Sequence, residues 1–166
     1  MLPTNDRKPA KDLPADIRRV MLGTDLSRTS ELATDRAFDL AHRHGADLLV
    51  VSVIDPHDLT QGAGPIGSRW DEVRDRRHAA AQELVARGRA MGLTVSFLVW
   101  TGDPGESIVS AAEAEGVDLV VVGTHGRGTI GRFLLGSVSD HVVRNAPCPV
   151  LVVRPAAGQS HRPEAA

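Results

Sequence analysis

Apolar residues in this chain are arranged in two ways. Four short runs are nearly unbroken: RRVMLGTD (Arg18–Asp25), ADLLVVSVID (Ala46–Asp55), VDLVVVG (Val117–Gly123) and PVLVV (Pro149–Val153). They have the length of strands and too few polar positions for a sheet with one wet face. A further run, LTVSFLVW (Leu93–Trp100), alternates and predicts another strand.

Between these runs the apolar positions recur at helical spacing. In SRTSELATDRAFDLAHRHG, Ala33, Ala37, Leu40 and Ala41 share a face, and Gly45 stands where a helix would stop. Ser68 and Asp71 have capping-box spacing, which predicts a helix from there to about Met91 with Trp70, Val73, Ala80, Leu84 and Met91 inward. Asp103-Pro104-Gly105-Glu106 reads as an N-cap, a proline at the first helical position and an acid in the first turn, opening a helix that ends near Gly116. Ser137 and Asp140 repeat the capping-box spacing at the start of a helix from Ser137 to about Asn145.

Strands and helices thus alternate as βαβαβαβαβ, which predicts an α/β domain: one mainly parallel sheet with helices on both faces. The domain spans 16–155, between polar tails at 1–15 and 156–166 that read as mobile. The connection Pro56–Gly67 is long enough for a lid, and equally for a plain linker. Ligands of such sheets bind at the carboxyl ends of strands, where strand order reverses. That rule selects Thr24 and Asp25, Val53 to Asp55, and Gly123 to Gly126.

Composition narrows the chemistry. A length of 166 residues is one domain by size, and a net charge of −2 with 3% aromatic residues argues against nucleic acid as partner. Cys148 is the single cysteine, so no internal disulfide forms; between two prolines it reads as a buried structural thiol. No signal-like segment or membrane-length apolar run is visible, and a cytoplasmic protein is expected. Both lysines, Lys8 and Lys11, lie in the N-terminal tail. A lysine-dependent phosphate loop is therefore excluded, and an anion would be held by backbone N–H groups, hydroxyls or arginine. His42 and His44 are two apart on a helix, do not share a face, and read as surface residues.

The segment after VDLVVVG carries the candidate chemistry. Gly123-Thr124-His125-Gly126 is followed by nine residues and then Gly136-Ser137. Gly123 allows a sharp turn, and Gly126 can expose consecutive N–H groups as an anion nest. Ser137 stands at a helix N-terminus, which favours phosphate, and Arg127 and Arg132 add positive charge. His125 is placed to touch a phosphate but has no acidic sequence neighbour to orient it as a base.

These residues resemble the universal stress protein family, whose ATP-binding pattern G-x2-G-x9-G-[ST] is met by Gly123, Gly126, Gly136 and Ser137. GTDLS, VVSVID and GDPGESIVSAAEAEGVDLVVVG are also typical of the family, and the likeness covers about 17 to 154. The resemblance implies a Rossmann-like fold of the adenine nucleotide alpha hydrolase type, with strand order 3-2-1-4-5. It implies that Asp25 lies beside the adenosine and that Val53 contacts the adenine region. Val122 and Gly123 would run along the nucleotide, and Gly126, Gly136, Ser137 and Val138 would hold phosphates with Ser139 nearby. Thr24, Thr124, His125 and Arg127 join this ATP-binding set from the flanks of the same segments. Mg²⁺ would reach Asp25 through water, and a homodimer would form through the last strand. Some ATP-binding members have proline two residues before the aspartate, where this chain has Gly23; the difference bears on adenine packing more than on phosphate binding. The function implied is a dimeric, ATP-binding stress-response regulator with slow hydrolysis at most. The alternatives are a nucleotide-independent interaction module of the same fold and a weak ATPase.

Overall fold

The computed structural model describes residues 14, 16–60, 66–124 and 135–154. Within them lie β1 (Arg19–Gly23), α1 (Glu31–His44), β2 (Asp47–Ile54), α2 (Ile66–Ala90), β3 (Val95–Thr101), α3 (Pro104–Ala114), β4 (Leu119–Gly123), α4 (Ser137–Asn145) and β5 (Val150–Val153). The strands form one sheet in the order β3-β2-β1-β4-β5, and every neighbouring pair is parallel. This is the expected α/β architecture and strand order.

The two-residue period of the strands divides the core between the faces. Val20, Leu22, Leu48, Val50, Leu119 and Val121 point to the side covered by α1 and α2, where Ala37, Phe38, Ala41 and Val85 meet them. Met21, Leu49, Val51, Val53, Val120 and Val122 point to the other side, under Ile108, Ala111 and Ala112 of α3 and Val142 of α4. Strands buried on both faces need apolar residues at nearly every position, which is why their runs are continuous in the sequence.

Helix ends follow local chemistry. Gly45 has φ 62°, and the N–H of Ala46 donates to the carbonyl of Ala41 at 2.9 Å, closing α1 in the left-handed turn expected of that glycine. The Asp103 carboxylate accepts from the backbone N–H of Glu106 at 2.9 Å, capping α3 as expected.

The structure corrects the reading of α2. The helix begins at Ile66, so Ser68 lies inside its first turn and is not a cap. Residues Pro56–Leu59 form a short 3-10 turn, with the Asp55 carboxylate accepting from the His57 N–H at 2.8 Å, so the connection to α2 is shorter than the sequence suggested. Residues 61–65 of the candidate lid lie outside the described residues. The inner line of α2 is Arg77, Ala81, Val85 and Gly88; Trp70, Val73, Ala80 and Leu84 flank it half-buried, and Met91 is 42% exposed. Two of the four inner positions are arginine and glycine, which an apolar-periodicity reading passes over.

Gly88 is inward because α2 lies against β3 there: a Cβ at this position would collide with the Val95 side chain. Gly88→Ala should therefore destabilise, although alanine is the better helix former by about 1 kcal/mol, because overpacking costs about 1–3 kcal/mol. Gly67→Ala, with nothing within 4 Å of the new Cβ, should leave the melting temperature unchanged or raise it. Equal melting shifts for the two variants would contradict this packing. Asp103→Ala should cost about 1 kcal/mol in the same assay through loss of the cap.

Candidate functional site

A cleft opens at the carboxyl edge of the sheet, where the chain crosses from β1 to β2 on one side and to β4 on the other. Its cavity volume is about 250 Å³. Gly23, Thr24, Asp25, Val53, Asp55, Val122, Gly123, Thr124, Gly136, Ser137, Val138 and Ser139 line it, so the described members of the expected set come together in one place. His125, Gly126, Arg127 and Arg132 lie outside the described residues.

The turn after β1 is held by its own side chains. Thr24 extends the sheet by one bond, its N–H donating to the Val51 carbonyl at 3.0 Å. Its hydroxyl donates to Ser30 Oγ at 2.9 Å and accepts from the Leu26 N–H at 3.0 Å, which supports Leu26 at φ 59°, a left-handed conformation uncommon for leucine. Asp25 Oδ1 accepts from the Ser27 N–H at 3.0 Å and from Ser27 Oγ at 2.6 Å. The other carboxylate oxygen, Oδ2, is buried and has no hydrogen-bond partner among the described residues. Leaving such an acceptor unpaired is costly, and its place in a cleft wall leaves it open to a donor that enters the cleft.

Across the cleft, α4 turns its N-terminus inward. The N-cap is Gly136, and Ser137 is the first helical residue, which corrects the expectation that Ser137 caps the helix. The cause is a close approach. The Gly136 N–H donates to the Thr124 carbonyl at 2.9 Å, and a Cβ on Gly136 would stand 2.9 Å from that same oxygen. Ser139 Oγ donates to the Gly136 carbonyl at 3.0 Å and locks the turn. With glycine as cap there is no side chain to satisfy the first-turn N–H groups, and helix geometry leaves those donors without intrahelical acceptors.

Gly23 is explained by its neighbours. A Cβ there would meet Ile108 Cδ1 at 2.9 Å and Val122 Cγ1 at 3.1 Å, so Ile108 occupies the space a larger residue would need. Ile108 and Pro104 of α3, Ser30, and Arg77 of α2 also line the cleft and were not picked out from the sequence. Arg77 is 6% exposed, and its Nη1–H donates to Ser52 Oγ at 2.6 Å. The one sequence signal for it is its helical spacing with Ala81, Val85 and Gly88.

Elsewhere, His42 and His44 are exposed on α1, as expected, and Cys148 is half-buried against the core beneath α3 and α4. Among the described residues no group of three or more His, Cys, Asp or Glu is placed to hold a metal ion. Among them, too, no helix is long and apolar enough to cross a membrane.

The Gly136 contact makes a direct prediction. Its φ of −62° and ψ of 158° suit any residue, so Gly136→Ala adds only the clash with the Thr124 carbonyl. A loss of about 1–3 kcal/mol is expected in denaturant unfolding, and an unchanged midpoint would contradict the contact.

The chain matches the universal stress protein family over residues 16–154. It is 39% identical over 141 residues to a universal stress protein of Thermus aquaticus, with 82% of this chain and 98% of that one covered. It is 42% identical over 139 residues to one of Mycolicibacterium smegmatis, where 82% of this chain matches 45% of the relative, so it spans less than half of that protein. A solved universal stress protein in complex with cAMP is 29% identical, with a TM-score of 0.64 over 84% of this chain and 98% of that one. Profile, sequence and strand order agree: this chain belongs to the universal stress protein family.

Proposed function

We propose that the cleft binds ATP and that the protein is a dimeric, nucleotide-dependent regulator in the cytoplasmic stress response, with slow hydrolysis at most. The observation that carries this reading is the glycine-capped N-terminus of α4, facing Asp25 across a cleft at the strand-order reversal. Free first-turn donors and the helix dipole suit a phosphate chain. The cAMP complex of a relative at 29% identity supports an adenine nucleotide as the class of ligand.

On this reading Gly136, Ser137 and Val138 hold phosphates, with Ser139 keeping their turn in shape, and Val122, Gly123 and Thr124 run beneath the sugar-phosphate chain. Val53, with Thr24 and Asp25, receives the adenosine. Gly126, His125 and Arg127 complete the phosphate side. The residues fit the ligand in two respects: a buried acceptor waits at Asp25 Oδ2, and no side chain fills the turn at Gly136. Mg²⁺ bound to the phosphates would meet Asp25 through water, since Mg²⁺ keeps several waters and takes few carboxylates. Its role is to neutralise phosphate charge.

The edge strand β5 supports the dimer. Leu151 is 38% exposed on it and Val143 of the adjacent α4 is 45% exposed, and pairing β5 with a second copy would cover both the apolar side chains and an open sheet edge.

Ser137→Asp tests the ATP site without threatening the fold. Ser137 is exposed, and an acid in the first turn of a helix is stabilising or neutral for the apo protein. In nucleotide-stripped wild type, Mg-ATP at about 100 times its dissociation constant should stabilise by about 2.7 kcal/mol, a rise of about 5–10 °C. The introduced carboxylate would repel phosphate and should abolish the rise. No shift in wild type, or an equal shift in both proteins, would refute the assignment.

A further inference from the structure

We infer that Ile108, seated in a notch that Gly23 leaves in the sheet, forms the floor beneath the nucleoside half of the ligand and sets the depth of the cleft there; the inference rests on the ATP-site reading above. One row of strand partners runs Leu98, Val51, Gly23, Val122 and Val152 across the five strands. Its four side chains point to the α3 face. Those four are large and apolar, and the central position has no side chain. The row therefore has a gap over β1, at the carboxyl edge where the cleft opens.

Ile108 fills that gap from α3. It is 4% exposed, and its Cδ1 stands 2.9 Å from where a Gly23 Cβ would be, with Val122 Cγ1 3.1 Å from the same point. The side chain also lines the cleft, as does Pro104 one helical turn earlier. The space is thus filled from the helix and not from the strand. What faces the cleft over β1 is a branched aliphatic surface, lying low because Gly23 lets it.

Such a surface suits one half of a nucleotide and not the other. An aliphatic group offers nothing to an anion, whereas the ring of a base gains by leaving water against it. The phosphate-side glycine, Gly136, stands beyond the end of β4, against the Thr124 carbonyl. Thr24 and Asp25 follow Gly23 directly and supply hydrogen-bonding groups at the edge of the floor. A Cβ at position 23 would have to displace the tip of Ile108. Val51 and Val122 flank the gap in the row, so the open direction for that tip is into the cleft.

The experiment is calorimetric titration of ATP, adenosine and tripolyphosphate into nucleotide-stripped wild type, Gly23→Ala, Ile108→Val and the double variant. Ile108→Val deletes Cδ1, the atom nearest the new Cβ. Gly23→Ala should lose about tenfold in affinity for ATP and for adenosine, the scale of a methyl group forced into filled space. In the Ile108→Val background the same substitution should cost less than about threefold, because the clash is gone and contacting residues are not additive. Tripolyphosphate binding should stay within about twofold in all four proteins, because the phosphate end is untouched. If Gly23→Ala does not fold, Ile108→Val carries the test: one methyl fewer in the contact should weaken adenosine about fourfold and spare tripolyphosphate.

Unchanged adenosine affinity in Gly23→Ala, or in Ile108→Val where that variant carries the test, would overturn the inference and leave the pair a packing contact beside a standing ATP site. Equal losses from Gly23→Ala in both backgrounds would also overturn it, as would a parallel fall in tripolyphosphate binding. Wild type that binds no ATP would instead refute the site itself, and this inference with it.

Discussion

The position of β1 governs the rest of the molecule. Val20–Gly23 pair with Leu48–Val51 on one side and with Leu119–Val122 on the other, in parallel register on both. A central strand bonded on both edges and covered on both faces cannot shift without exposing a full apolar set and breaking two ladders. Because both neighbours run parallel to it, one crossover leaves toward β2 and a later one returns at β4. Their loops diverge at the same end of the sheet. The cleft is the space between those diverging loops, and its walls are fixed by strand register before any ligand is considered.

On this frame the two halves of the cleft are built by different means. The β1 side depends on side chains: Ser27 holds one oxygen of Asp25, and Thr24 ties the turn to Ser30. The β4 side depends on their absence. Gly136 approaches the Thr124 carbonyl at a distance that excludes a Cβ. Hydroxyls and carboxylates suit a group that needs directed hydrogen bonds. Bare backbone suits an anion, which is satisfied by several N–H donors at once. The proposed nucleotide would meet that division, being polar and shaped at one end and charged at the other. Arg77 belongs to the first half, brought there by a helix that never enters the loop motif.

Much of this was readable along the chain, for local reasons. Continuous apolar runs signal strands covered on both faces, because solvent contact on either face would demand polar positions. Asp103 and Gly45 announce helix ends because capping and left-handed turns involve residues within a few positions of each other. The spacing of Gly123, Gly136 and Ser137 is likewise local, since strand, loop and helix follow in order. Where the local signal failed, competing local solutions existed. Ser68 and Ser137 both have capping-box spacing, but α2 starts earlier and Gly136 takes the cap of α4, because the Thr124 carbonyl lies where a side chain would go.

The sequence by itself determined the alternation of elements, the family, the strand ends that line the cleft and the glycines that flank the connection from β4 to α4. Only the tertiary structure decided which residues arrive from elsewhere. Arg77 meets Ser52 across 25 positions, and Ile108 meets Gly23 across a greater separation still. Such contacts depend on how helices seat on the sheet, and that seating is set by packing over the whole interface. Apolar periodicity alone does not encode it, because an inward arginine breaks the pattern by which inward faces are recognised. The chain carries its frame in short-range patterns; the identity of its far cleft wall emerges only when α2 is laid against β2.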